Sequence, residues 1–169
     1  EEGKGEGVGE IEARDEIISL MEDLVSTLND KLGSSRELLK DRMELQYLRY
    51  PGDGAGFYHR HLDHNSPGDD ELDVQRSISL LIYLNEDDWD AERDGGLLRC
   101  FVSGGDGDSE TETDTAVVVE PLGGSLVLFD SKTLEHEVTS TNRVRWALVG
   151  WFLEKKRRKK RKKKRKRGT

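Results

Sequence analysis

Three of the four histidines in this 169-residue chain fall in one segment, 58–65 (YHRHLDHN), and the fourth, His136, stands far off in sequence. The informative pattern is His61-Leu62-Asp63. On an extended strand, residues i and i+2 point to the same side. His61 and Asp63 can therefore aim an imidazole and a carboxylate at one point. A third ligand must come from elsewhere, and His136 is the only histidine outside the cluster; it follows a strand candidate at 125–129. Two histidines and one carboxylate make the facial triad that holds non-haem iron(II) and leaves positions open for a co-substrate and O2. A His-x-Asp triplet on its own is a weak signal, because surface histidines beside charged residues usually do nothing.

Other residues strengthen it. A co-substrate with a remote carboxylate needs a basic anchor, and the planar fork of arginine suits that task. Arg145 lies nine residues after His136 in an apolar context, RVRWALVGWF. At about 3.3 Å per strand residue, a turn followed by a strand can bring it beside the metal, one strand over. Arg143 is the rival and reads more like a turn residue. The segment 50–56 (YPGDGAG) is a glycine-rich turn just before the triplet. It fits neither dinucleotide nor nucleotide phosphate patterns, and it brings Tyr50 toward the ligands.

The elements that must position these groups change character along the chain. Ile17, Ile18, Met21, Leu24, Val25, Leu28 and Leu32 recur at helical spacing, with Asp15 as N-cap and Gly33 as stop. Short apolar runs follow at 45–50, 78–84, 97–102, 116–120, 125–129 and 147–153, each bounded by Gly, Pro, Asp or Asn. No helix-length pattern separates them, which argues against a parallel βαβ sheet and for a sandwich or jelly roll. Residues 103–115 are a polar, acidic loop.

Composition bounds the rest. The chain has the size of one domain: a flexible acidic leader at 1–14, the domain at 15–153 and a basic disordered tail at 154–169. The net charge of −8 averages two unlike parts. Residues 155–167 are all Lys or Arg; without these 13, only 14 basic residues face 35 acidic ones. A body near −21 will not hold nucleic acid across its face, and it suits a basic protein segment. Nucleic acid is expected only through the tail. A single cysteine, Cys100, allows no internal disulfide, and no apolar run is long enough for a membrane span. The reading is an intracellular protein, cytoplasmic or nuclear, with the tail as a nuclear signal, and a monomer. No Met opens the chain, so it is read as an excised domain or a fragment.

Three stretches together carry a family resemblance: MELQYLRYPGDGAGFYHRHLD, SISLLIYLNEDDWDAERDGGLLRCF and LVLFDSKTLEHEVTSTNRVRWALVGWF. They resemble the prolyl 4-hydroxylase catalytic domain, above all that of the hypoxia-inducible-factor prolyl hydroxylases and their microbial relatives. The likeness runs from about Ile17 to Phe152. It implies a mainly β fold with flanking helices around a double-stranded β-helix (jelly-roll) core. It implies an iron(II)- and 2-oxoglutarate-dependent dioxygenase that hydroxylates proline in a protein or peptide, releasing succinate and CO2. His61, Asp63 and His136 would bind Fe(II), and Arg145 the distal carboxylate of 2-oxoglutarate. Tyr50 and Tyr83 would hydrogen-bond that co-substrate, and Leu98 and Trp151 would line its pocket; Tyr83 and Trp151 also suit plain core packing. O2 as co-substrate, ascorbate as reductant and a link to oxygen sensing follow from the same likeness. No catalytic side chain is expected beyond the metal centre. The chain departs from the animal hypoxia enzymes by one extra residue between Tyr50 and His61. It departs from the collagen branch by Arg145 in place of lysine. The alternatives are an inactive or differently reacting jelly-roll metal-binding module, and a nucleic-acid- or ribosome-associated protein driven by the tail.

Overall fold

The computed structural model describes residues 11–33, 36–64, 73–102 and 115–156. Helix α1 (Ile11–Leu32) leads into strands β1 (Leu38–Tyr50), β2 (Gly56–His61) and β3 (Val74–Tyr83). A single turn of helix, α2 (Ala91–Asp94), precedes β4 (Leu98–Val102), β5 (Thr115–Val119), β6 (Leu126–Asp130), β7 (Glu135–Thr141) and β8 (Arg145–Lys155). The strands form two four-stranded sheets, in the orders β1-β8-β3-β6 and β2-β7-β4-β5. Every pairing within them is antiparallel. This is the expected double-stranded β-helix.

Strand β8 shows why the sequence folds this way. Its residues alternate between faces. Ala147, Val149, Trp151 and Leu153 turn inward and pack with Leu81, Tyr83 and Phe129 between the sheets. Phe152 turns outward and meets Ile78 and Leu80, and this face is covered by Met21 and Val25 of α1. A strand buried on both faces reads as a continuous apolar run rather than an alternating one. The helix stops at Gly33, whose φ of +67° is the left-handed conformation that a C-terminal cap needs. Asn29 then ties helix to sheet: its side chain accepts from the Leu38 amide at 2.8 Å and donates to the Leu38 carbonyl at 3.0 Å.

The structure corrects several boundaries. The helix begins at Ile11, so residues 11–14 are helical and not part of a flexible leader. Asp15 is not an N-cap; it lies inside the helix and pairs with Arg14. Ala13 and Glu12 favour helix without adding to the apolar stripe, so the stripe understates the helix. At the other end β8 runs to Lys155, and Lys156 donates its amide to Asp73. The ordered body therefore extends past 153, held there by Glu154, which accepts from Gln75 and Ser77 and pairs with Lys132. Thr115 opens β5 rather than closing the acidic loop. Residues 1–10 of the leader, 103–114 of the loop and 157–169 of the tail lie outside the described residues. Two strands, β2 and β7, carry no aliphatic run and were not among the expected strands. Both are rich in polar residues, GFYHRH and EHEVTST. Among the described residues no helix is long and apolar enough to cross a membrane.

The packing of Phe152 between sheet and helix generates a test. Phe152→Ala should destabilise the domain by about 3–5 kcal/mol, read as a lower midpoint in urea unfolding at unchanged m-value.

Candidate active site

His61 and His136 are cross-strand partners: their Cα atoms face each other in the β2–β7 ladder. Their rings lie 4.3 Å apart between centroids. In each case Nδ1 is turned to a backbone carbonyl, that of His59 at 2.7 Å and that of Leu134 at 3.2 Å. With Nδ1–H donating there, the neutral form of each ring would present its Nε2 lone pair to the interior, the arrangement that orients metal-binding imidazoles.

Asp63 lies two residues beyond the end of β2, in a bend rather than on the strand itself. It still meets both histidines, with Oδ1 at 3.1 Å from His61 Nε2 and Oδ2 at 3.8 Å from His136 Nε2. One donor atom from each of the three residues falls within 4.8 Å of the others. Ser79 of β3 donates to Asp63 Oδ2 at 2.6 Å, which fastens this carboxylate to the opposite sheet.

The electrostatics favour a charged Asp63 and a neutral His136, and they favour the protonated form of His61, whose Nε2–H donates to Asp63. Burial alone would raise the Asp63 pKa, but hydrogen bonds from His61 and Ser79 and the nearby His136 outweigh it and bring it down to about 2. Trp151 Nε1 faces the same carboxylate without reaching hydrogen-bond geometry. His136 is pushed below its ordinary value by burial. His61 is also opposed by burial, yet the Asp63 bond and the His59 carbonyl carry it above its ordinary value.

Beside this cluster is a cavity of about 320 Å³, lined by Tyr50, Tyr58, Leu98, Arg145, Val149 and Trp151 together with all three donor residues. Arg145 is the first residue of β8, in the sheet opposite β7. It reaches the site across the sandwich, not from one strand over as the spacing suggested. It is 1% exposed. Nε donates to the Gly96 carbonyl at 3.0 Å, while the buried Nη2 has no partner. The rings of Tyr50 and Tyr83 flank the guanidinium at 5.1 and 5.0 Å. Burial lowers the Arg145 pKa, and the two tyrosines oppose that. The Tyr83 hydroxyl is buried without a hydrogen bond, and the residue packs beside Arg145. The rival Arg143 is engaged elsewhere, pairing with Asp88 at 2.8 Å and Asp94 at 3.4 Å.

The cavity is therefore two-ended: three donors suited to one metal ion at one end, an unsatisfied buried cation at the other. A family model described as the 2OG-Fe(II) oxygenase superfamily matches residues 45–153. The chain belongs to the 2OG-Fe(II) oxygenase superfamily. Its relatives include human Egl nine homolog 1, 33% identical over 84% of this chain and 29% of the relative. Mouse prolyl hydroxylase EGLN3 is 34% identical over 87% of this chain and 54% of its own length. The chain thus spans between about a third and about half of these curated relatives. Among solved structures, a Pseudomonas putida prolyl-4-hydroxylase superposes with a TM-score of 0.66 at 34% identity, covering 89% of this chain and 68% of the other. A Trichoplax adhaerens prolyl hydroxylase, in complex with a hypoxia inducible factor oxygen degradation domain peptide fragment, gives 0.65 at 27% identity, covering 83% and 56%.

The superfamily implies Fe(II) and 2-oxoglutarate, and this interior fits both. The two-histidine, one-carboxylate donor set suits Fe(II). The orphaned Nη2 of Arg145 and hydroxyl of Tyr83 call for an anionic, hydrogen-bonding guest. Several cavity residues were not anticipated. Tyr58 packs against His61, with ring centroids 4.5 Å apart and planes tilted by 59°. Arg76 lies over the Trp151 ring, 3.6 Å from its centroid. Gln46 and Leu48 share the inward face of β1 with Tyr50. Period-two counting back from Tyr50 could have found the last pair. The register shifts in β2 hid Tyr58.

Proton competition gives a test. Metal binding needs His61 neutral, and its pKa is raised. Affinity for a divalent ion should therefore weaken as pH falls, beginning above about 6.5, with about one proton released per ion bound. Asp63 should add nothing to this slope until the pH nears about 2. Calorimetry in buffers of different ionisation enthalpy reads the proton count; a pH-independent affinity between neutrality and mild acidity would contradict the assignment.

Proposed function

We propose that this chain is an iron(II)- and 2-oxoglutarate-dependent dioxygenase that hydroxylates proline in a protein or peptide substrate. The observation that carries the reading is the buried, partly unsatisfied Arg145 guanidinium in the same cavity as the His61–Asp63–His136 cluster. The prolyl hydroxylases among its relatives support the choice of substrate.

In this reading His61, Asp63 and His136 hold Fe(II). Arg145 receives the distal carboxylate of 2-oxoglutarate in a charge-assisted pair, with the hydroxyls of Tyr50 and Tyr83 as further donors and Leu98 and Trp151 as walls. Bound together, iron and co-substrate supply the O2-dependent oxidation that yields succinate, CO2 and a hydroxylated prolyl carbon. The protein supplies position. Anchoring at Arg145 fixes the co-substrate at one end so that its other end meets the donor cluster, which removes its rotational freedom before reaction. The apolar wall formed by Leu98, Val149 and Trp151 excludes water. No side chain is required as a general base. Ascorbate completes the proposal as the reductant that keeps the metal ferrous. The acidic body favours a proline flanked by basic residues.

Incubation with Fe(II), 2-oxoglutarate, ascorbate and proline-containing peptides with basic flanks should add the mass of one oxygen atom and form succinate in step. His136→Ala should abolish both. Arg145→Ala should raise the KM for 2-oxoglutarate at least about 30-fold, as expected when one side of a buried charged pair is removed. Normal turnover by His136→Ala would overturn the ligand assignment.

A further inference from the structure

The Asp63 carboxylate is approached unequally at its two oxygens. Oδ2 accepts the Ser79 hydroxyl at 2.6 Å, and Ser79 Oγ in turn lies 2.8 Å from Ser131 Oγ. Oδ2 also lies 3.8 Å from His136 Nε2, whereas Oδ1 meets His61 Nε2 at 3.1 Å and has no hydroxyl upon it among the described residues. Both serines are completely buried. Ser79 projects inward from β3, while Ser131 follows the last residue of β6, the strand paired with β3. Two hydroxyls in a sealed interior are costly unless they bond one another or a neighbour. Here they form a line that ends on one oxygen of one acid.

The direction of that line is determined by chemistry. A carboxylate that serves as a metal ligand has no proton and can only accept. The single hydroxyl proton of Ser79 therefore goes to Asp63, and Ser79 must accept from Ser131. Each donation polarises the next and strengthens it. Ser131 is itself held from the backbone, its amide donating to the Ser77 carbonyl at 3.0 Å. The line Ser131 to Ser79 to Asp63 is thus anchored in the sheet opposite the one that carries both histidines.

This matters because a carboxylate can grip a cation through one oxygen or two. A two-oxygen grip would use a coordination position that a chelating co-substrate and O2 both need. We propose that Ser79, aligned by Ser131, is a positioning residue that makes Asp63 a one-oxygen ligand: it occupies Oδ2, leaves Oδ1 for the metal, and so keeps the remaining positions of the ion free. The inference rests on the reading of His61, Asp63 and His136 as the metal ligands.

Manganese(II) is the probe, bound anaerobically without co-substrate. Affinity and the number of exchangeable water ligands are read by electron paramagnetic resonance with ¹⁷O-labelled water. Metal-free thermal melts report folding. Wild type should keep three waters on the ion. Ser79→Ala should keep one fewer and bind about 10-fold more weakly, as for other outer-shell losses. Ser79→Thr, which retains the hydroxyl, should restore both readings. Ser131→Ala, which leaves the Ser79 hydroxyl but not its alignment, should shift both in the same direction by less. A melt that shows Ser79→Ala unfolded passes the decision to Ser131→Ala: wild-type water count and affinity there overturn the proposal. Wild-type readings in a folded Ser79→Ala overturn it as well, while Asp63→Ala still abolishes binding. If Asp63→Ala binds manganese as wild type does, the ligand assignment itself has failed, and the proposal falls with it.

Discussion

A guanidinium with 1% exposure and an unpartnered nitrogen is among the most demanding groups a small domain can bury. Much of the interior is arranged around this one charge. Two tyrosine rings face it, and the Gly96 carbonyl takes its Nε proton. Gly96 has a φ of +67°, and a Cβ there would stand 3.1 Å from Arg145 Cδ. The turn before β4 therefore needs glycine both for its conformation and for room. Thr141, also fully buried, hydrogen-bonds the carbonyls of Arg143 and, at 3.3 Å, Asp94, and so closes the turns that deliver Arg145 to the cavity. A neutral acceptor and two ring faces tolerate the cation; none of them neutralises it. In the proposed function the distal carboxylate of 2-oxoglutarate would do so.

The second constraint is that the donor cluster is held by both halves of the sandwich. His61 and His136 belong to one sheet through the β2–β7 ladder. Asp63 is tied by Ser79 to the other, and Arg145 stands on that other sheet as well. The site is thus the seam between the sheets. Any change in their separation would alter the donor geometry and the distance to Arg145 together. The helix bears on this indirectly: α1 covers the outer face of the β1-β8-β3-β6 sheet and leaves its inner face to the cavity.

Much of this was legible in the sequence because it rests on local rules. His61-x-Asp63 stands out by spacing, Arg145 by its charge within an apolar strand, and α1 by its stripe. The punctuated apolar runs located six of the eight strands, since a buried strand must be apolar. Strands β2 and β7 escaped because Val138 is their one buried aliphatic and the candidate donors His61 and His136 stand among polar residues, so the apolar signal that marks a strand is thin. The placement of Arg145 across the sandwich was out of reach, because chain distance does not say which sheet a strand joins. Ser79 and Ser131 were silent for a related reason. Serines 52 residues apart acquire meaning only when β3 and β6 pair.

The central claim is that the donor cluster and Arg145 serve one co-substrate molecule. Anaerobic addition of 2-oxoglutarate to the Fe(II)-loaded protein tests it most directly, through the weak visible charge-transfer band of a keto acid chelated to iron. The account predicts the band in wild type, its loss in Asp63→Ala, and its appearance in Arg145→Ala only at much higher 2-oxoglutarate. Iron binding without the band in wild type, or a band whose concentration dependence ignores Arg145, would contradict it.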